Sequence, residues 1–313
     1  MIPTGQQIWM SGRLVPWADA NVHVLTHALH YGTGVFDSLR AYATVDGPAL
    51  FRHREHHERL HRSAGLYGMG LRWDVDELVD ATRALVASTG LDEIYVRTIA
   101  YRGAGPMGVS PRHCPVEVAI AAWEWPAYLP GADAGIRAKV SSWSRIGHDA
   151  LLPAAKATAH YLNSVLARTE AEELGYDEAI LLGADGMLAE GTGENLFLVS
   201  DGVLLTPPLA SGALGGITRA TVLELAGVLG LRVEQRPLTR GELYLADEIF
   251  LTGTAAEIAA VREIDARVVG TGAPGPVTAA VRGAYADAAH GRDQRFAAWL
   301  DPVRVPAGAR AAL

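Results

Sequence analysis

The chain has 313 residues, 49% of them hydrophobic, a formal charge of -8 and one cysteine, Cys114. That is apolar material for one large core or two ordinary ones. The negative charge argues against nucleic acid or an anionic membrane surface as main partner, and a lone cysteine excludes an internal disulfide framework and fits a reducing compartment. The start, MIPTGQQIWMSGRLVPW, lacks a basic segment followed by an apolar core, and no apolar run reaches spanning length, so a soluble, cytoplasmic protein is expected.

In chain order, DVDELVDATRALV, residues 74–86, places apolar or small side chains at 78, 79, 82, 85 and 86, with Asp74 and Glu77 as a cap pair, and reads as an amphipathic helix. YVRTIAYR, from 95, alternates as a strand should, and VEVAIAAWEW, 116–125, reads as a buried strand. The Pro/Gly-rich PAYLPGADAG that follows marks a boundary. Beyond it, EAILLGADGMLAE turns at Asp185-Gly186 and NLFLVSDGVLLTP at Asp201-Gly202. ITRATVLELAGVLG, 217–230, is a helix ending in glycine, and TRGE, 239–242, opens another with a capping box. VPAGARAAL, from 305, reads as a loose tail. The whole is α and β mixed with hairpins in both halves, which argues against a simple doubly wound parallel sheet.

Two short motifs suggest other chemistries. HERLH, 57–61, matches the H-E-x-x-H helix of zinc peptidases, but its surroundings hold four histidines in nine positions, His53, His56, His57 and His61, and Ala64 stands where the zincin extension has glycine. GTGAPG, 270–275, matches the dinucleotide fingerprint G-x-G-x-x-G, yet it comes late, contains Pro274 and lacks a surrounding βαβ unit, so it reads as a turn.

The chain writes its positive charge almost wholly as arginine: of 27 Lys plus Arg, the only lysines are Lys139 and Lys156. Arginine does not give up its proton, whereas a lysine amine can act as base or nucleophile and form an imine. An imine-forming lysine suggests pyridoxal phosphate, which needs an acid at its ring nitrogen and an anion site for its phosphate. AEGTGENLF offers Glu190 or Glu194 for the first; GGITRA, 215–220, with glycines before a helix N-terminus, and TGTAAE, 252–257, offer sites for the second.

The segments HVLTHALHYGTGVFDSLRAY, FRHREHHERLH, YVR, PMGVSP, AAWEWPAY, LLPAAKATAHYLNS, EGTGENLF, TPPLASGALGGITR, LYLADEIFLTGTAAEI and GPVT, in this order over nearly the whole chain, resemble the branched-chain amino acid aminotransferases of the class IV pyridoxal-phosphate enzymes. The resemblance implies a two-domain α/β fold of α+β type, with a small N-terminal α/β domain at 1–125, a linker at 126–136 and a larger C-terminal cofactor domain with a mixed sheet, or pseudo-barrel, at 137–313. It implies ping-pong transfer of an amino group between leucine, isoleucine or valine and 2-oxoglutarate. Lys156 is implied to form the imine and to shuttle the proton between Cα and C4′. Glu190 would pair with the pyridinium, leaving Glu194 a structural role; Tyr161 would bond the ring oxygen; and Arg59, Ile217, Thr218 and Thr254 would hold the phosphate. Phe36, Tyr95, Arg97 and Trp125 would surround the substrate, with Arg97 on the distal carboxylate of glutamate and the amides of Thr254 and Ala255 on the α-carboxylate. Tyr31 and Val109 would come from the neighbouring subunit of a homodimer or higher homo-oligomer, and no metal is implied. Turning Arg59 to the phosphate turns His57 and His61 away from it, since they lie about 200° around the helix.

The chain departs from the family pattern in two places. FDSLR replaces F-E-G-I-R, so Asp37 and Ser38 stand for glutamate and glycine, and ATAHY, with Thr158, Ala159 and His160, replaces a glycine-rich run. Both bear on the side chain preferred in the pocket. Same-fold alternatives are a D-amino acid or (R)-amine transaminase and an aminodeoxychorismate lyase; more distant ones are the zinc peptidase and a catalytically silent relative.

Overall fold

The computed structural model describes residues 7–125, 128–129 and 131–305. All but Val305 of the expected tail lies outside them, as do three residues of the stretch at 126–136. The elements are β1 (Gln7–Met10), β2 (Arg13–Pro16), α1 (His27–Tyr31), β3 (Gly34–Thr44), β4 (Gly47–Phe51), α2 (His53–Leu66), α3 (Val75–Thr89), β5 (Ile94–Arg102) and β6 (Val116–Trp123). There follow β7 (Ile136–Ser144), α4 (Tyr161–Glu173), β8 (Glu178–Leu182), β9 (Leu188–Gly191), β10 (Asn195–Ser200), β11 (Val203–Thr206), α5 (Ile217–Val228) and β12 (Arg232–Gln235). The chain ends with α6 (Arg240–Leu245), β13 (Glu248–Gly253), β14 (Glu257–Ile264), β15 (Arg267–Val268), α7 (Pro276–Ala289) and β16 (Leu300–Pro302). The mixed α/β class expected from the sequence is the one adopted. Among the described residues no helix is long and apolar enough to cross a membrane.

Two compact units divide the chain. The first takes 1–126, 155–159 and 287–313; the second takes 127–154 and 160–286. In the first, the described strands form one sheet in the order β16-β4-β3-β5-β6-β1-β2. β3 is central and almost wholly buried, because the core that includes Leu39, Leu60, Leu78, Leu85, Val96 and Ile120 forms around it. Helix α3 buries Leu78, Val79, Thr82, Leu85 and Val86, the positions its periodicity selects, and Asp74 and Glu77 close the expected capping box. Each apolar side chain so buried is worth about 1.5–3 kcal/mol.

Helix α2 departs from the usual pattern: His53, His56, His57 and Arg59 are buried along with Leu60, Ser63 and Ala64. Buried polar groups require partners, and the first unit supplies one to a ring nitrogen of each of three histidines. His53 Nδ1 lies 2.7 Å from Asp301 on β16, His56 Nδ1 lies 2.7 Å from Asp37 on β3, and His57 Nε2 lies 3.0 Å from Thr82 on α3. Burial pushes all three imidazoles below the ordinary histidine value, His57 furthest.

In the second unit the described strands form a mixed sheet, β12-β11-β10-β13-β14-β7-β8-β9, with β15 beside β14. Both expected hairpins form. The one between β10 and β11 turns through Asp201 (φ 48°) and Gly202 (φ 74°), the positive pair that a two-residue hairpin demands. The turn between β8 and β9 uses Gly186 at φ 78°. The capping box of α6 closes between Thr239 and Glu242.

Candidate active site

Strand pairing in the first unit gathers one group of candidate residues. β3 and β5 run antiparallel, with Phe36 opposite Ile99, Ser38 opposite Arg97 and Arg40 opposite Tyr95. Residues two apart share a face, so Phe36, Ser38, Tyr95 and Arg97 point the same way. The Arg97 guanidinium carbon lies 4.5 Å from the Phe36 ring centre and 5.7 Å from that of Tyr95, and Tyr95 meets Trp125 edge-on at 4.4 Å. Lys156 is brought to this face by its own backbone: its N–H donates to Ser63 Oγ at 3.0 Å and its carbonyl accepts from Phe36 N at 2.9 Å. Its Nζ then stands 5.1 Å from the Phe36 ring centre.

On the opposite face of β3, Asp37 accepts from Arg59 Nε and Nη2, each at 2.8 Å, from His56 Nδ1 at 2.7 Å and from its neighbour Ser38 N at 2.7 Å. Burial opposes ionisation of Asp37, but the charges and hydrogen bonds of Arg59 and His56 more than offset it and hold the carboxyl far below the usual range. Asp37 thereby sets the direction of Arg59. The first histidine of HERLH is committed elsewhere: His57 faces Thr82 on α3. Among the described residues no group of three or more His, Cys, Asp or Glu is placed to hold a metal.

Thr158 and Ala159, of the ATAHY departure, brace the segment leading into β3. Thr158 Oγ1 donates to the carbonyls of Gly32 at 2.9 Å and Gly34 at 3.1 Å, and a Cβ at Gly32 would come within 2.9 Å of that of Ala159. Tyr31 and Val109, both exposed, are linked through His27, whose Nε2 lies 2.8 Å from the Gly108 carbonyl and whose ring stacks at a tilt on Tyr31, 4.5 Å between centres.

The second unit gathers the other group. Glu190, at the end of β9, is buried and ion-paired with Arg145 at 2.8 Å; its second oxygen accepts from Leu214 N at 2.9 Å and Asn195 Nδ2 at 3.2 Å. Charge and donors together fix this carboxylate in orientation. Asn195 also donates to the Leu214 carbonyl at 2.9 Å, which ties the EGTGEN loop to the glycines before α5. A Cβ on Gly216 would lie 1.9 Å from Asn195 Oδ1. Gly216→Ala is therefore expected to destabilise the protein by about 1–3 kcal/mol through overpacking, read as a lower midpoint in thermal unfolding.

Gly216 is the N-cap of α5 and no side chain caps it, so the amides of Ile217 and Thr218 open a twelve-residue helix whose start favours an anion. The helix after GTGAPG is the opposite case. Glu248 accepts from Val277 N at 3.0 Å and Thr278 N at 2.7 Å, and a Cβ on Gly275 would lie 2.1 Å from the Glu248 carboxyl carbon. A protein carboxylate already occupies the position a dinucleotide phosphate would need.

Thr254 and Ala255 form the turn between β13 and β14, and the β10–β13 register, Asn195 opposite Thr252, sets that turn at the same sheet end as Glu194. Glu194 is buried, with Gly193 N on Oε2 at 3.0 Å; burial first, then nearby Glu178, push its carboxyl well above the usual range. Tyr161 opens α4. Arg145, Asn195 and the Asp37–His56 pair, partners of candidate residues, are not evident from the sequence. Asn195 sits inside EGTGENLF, but nothing local distinguishes Arg145 from any other arginine.

A family model described as amino-transferase class IV matches residues 34–264. The curated branched-chain-amino-acid aminotransferase of Escherichia coli K12 is 47% identical over 300 residues, covering 95% of this chain and 97% of that protein. A crystal structure of the Escherichia coli enzyme superposes with a TM-score of 0.94 at 46% identity, over 96% of this chain and 100% of the other. The T.th. branched-chain amino acid aminotransferase complexed with N-(5'-phosphopyridoxyl)-L-glutamate gives 0.93 at 43%, over 96% and 100%. The chain belongs to the class IV aminotransferase family and is an enzyme of its branched-chain-amino-acid group.

Proposed function

We propose that the protein transfers the amino group between leucine, isoleucine or valine and 2-oxoglutarate, using pyridoxal 5'-phosphate in a ping-pong cycle. The observation that carries this reading is the face of the first unit on which the amine of Lys156, the aromatic rings of Phe36, Tyr95 and Trp125 and the guanidinium of Arg97 are assembled. Apolar rings suit a branched side chain, and an arginine suits the second carboxylate of the dicarboxylic partner. The relative with a phosphopyridoxyl-glutamate bound supports both the cofactor and a dicarboxylic substrate.

The donor set fits this cofactor. Glu190, ion-paired with Arg145, is suited to hold the proton of a pyridine nitrogen; the uncapped start of α5 at Ile217 and Thr218, the turn at Thr254, and Arg59 suit a phosphate; the tight approach at Gly216 marks a backbone that admits no side chain. When bound, the cofactor supplies an electron sink for the charge left at the substrate Cα. The chain's own work is then positional and acid–base. Lys156 holds the cofactor and carries the proton between Cα and C4′. Tyr161 donates toward the ring oxygen. Phe36, Tyr95 and Trp125 exclude water around the side chain, and the amides of Thr254 and Ala255 receive the α-carboxylate.

The exposed apolar side chains of Tyr31 and Val109 fit a homodimer in which each subunit lends these residues to the other. A single cysteine, Cys114, fits a reducing compartment such as the cytoplasm.

An absorbance spectrum of the purified protein tests the reading. A band near ~410–430 nm should move to about 330 nm with L-leucine and return with 2-oxoglutarate; a protein that stays colourless after pyridoxal phosphate is supplied refutes it. Glu190→Gln should lower kcat by about 10²–10³, the usual effect of removing one preorganised electrostatic partner, in steady-state assays with leucine and 2-oxoglutarate.

A further inference from the structure

We propose that Ser38 is a specificity-determining residue: its hydroxyl holds Arg97 in the orientation that receives the second carboxylate of a dicarboxylic amino or oxo acid. This rests on the function proposed above. Asp37 and Ser38 are adjacent on β3, so their side chains leave opposite faces of the sheet. Asp37 takes Arg59 and His56 on one face; Ser38, buried, stands directly across from Arg97 on the other.

Ser38 Oγ accepts from Arg97 Nε at 2.5 Å, and Tyr95 Oη lies 3.3 Å from Nη2. Gripped at Nε and laid against the Phe36 ring, the guanidinium is fixed in its plane. Arg97 lines a cavity of about 440 Å³ in the first unit whose other walls include Met10, Ile99, Ala119 and Ala121. Among the described residues no carboxylate pairs with Arg97. A cation in apolar surroundings with no counter-ion is costly unless an anion arrives, and a planar fork matches a carboxylate with two bonds. A glycine at 38, as in the family pattern, offers no acceptor, so Arg97 would have to be ordered when the ligand binds; the serine orders it beforehand.

The test uses the holoenzyme with Ser38→Ala, Ser38→Gly and Ser38→Thr, inhibited by glutarate and by 4-methylpentanoate, with the Michaelis constant and kcat measured for both leucine and 2-oxoglutarate. Losing a hydrogen bond to a charged group predicts that the alanine and glycine variants bind glutarate and 2-oxoglutarate about tenfold more weakly, relative to 4-methylpentanoate and leucine, as read from inhibition and Michaelis constants. Ser38→Thr should keep the wild-type ratio. An alanine variant that keeps the ratio, or a threonine variant that loses as much as alanine, overturns the role of Ser38 alone. A wild-type enzyme that transfers the amino group of leucine to a monocarboxylic oxo acid but not to 2-oxoglutarate refutes the second substrate and this inference together.

Discussion

Replacing Lys156 with alanine is expected to leave a folded protein that no longer transfers an amino group, with kcat down by at least about 10³–10⁴. The fold should survive because the two hydrogen bonds that seat residue 156, from its amide to Ser63 and to its carbonyl from Phe36, belong to the backbone and remain in the variant. Chemistry should not survive, because no second amine is available: Lys139 sits on β7 of the other unit, its Nζ 3.2 Å from the Val140 carbonyl and 3.9 Å from Glu170. Lys156→Arg should be equally inactive, since a guanidinium neither releases its proton nor forms an imine. Glutamate production from leucine and 2-oxoglutarate measures the loss, and circular dichroism checks the fold. An alanine variant with a tenth of the wild-type rate would refute the assignment.

Asp37→Asn carries the second large effect, on stability. The carboxylate is fully buried between Arg59 and His56, and removing one partner of a buried ion pair costs about 3–5 kcal/mol because the remaining charge is left uncompensated. The pH dependence has a definite sign. Asp37 has a folded pKa depressed below its unfolded one, so its stabilisation is present above the ordinary carboxylate pKa and is lost as pH falls below it. His56 and His57 are likewise depressed; they bind protons more readily when unfolded, so their share is lost as pH falls through the ordinary histidine value. Wild-type stability should therefore decline from about pH 6.5 downward, and Asp37→Asn should remove the part that begins near about pH 4 while enlarging the histidine part, since Asp37 partly offsets the burial that depresses His56 and His57. Urea unfolding of both proteins between pH 3 and 8 measures this; parallel curves would show that Asp37 contributes no pH dependence.

These effects concern residues the sequence shows with unequal clarity. The α3 and α6 capping boxes, both Asp-Gly hairpins and the α5 helix with Gly230 beyond it were legible, since each depends on residues within a few positions of one another. Lys156 was legible for a compositional reason, as one of two lysines among arginines. The α2 histidines were not: a run of four reads as a polar helix face or a metal motif, and only Thr82, Asp37 and Asp301, from 19 to 248 residues away, show three of them to be buried groups, each with a partner at one ring nitrogen.

By itself the sequence determined the local elements, the chemistry available in a lone amine and two glycine-rich loops, and membership of the family, because these reside in short stretches and their order. The tertiary structure decided that residues 155–159 and 287–313 return to the first unit, that Arg145 holds Glu190, and that Asp37 and Ser38 each grip an arginine on opposite sides of one strand. Those outcomes depend on which distant segments pair across a sheet. Strand register, with its period of two, sends neighbouring side chains to opposite faces, and nothing within either partner segment specifies what it will meet there.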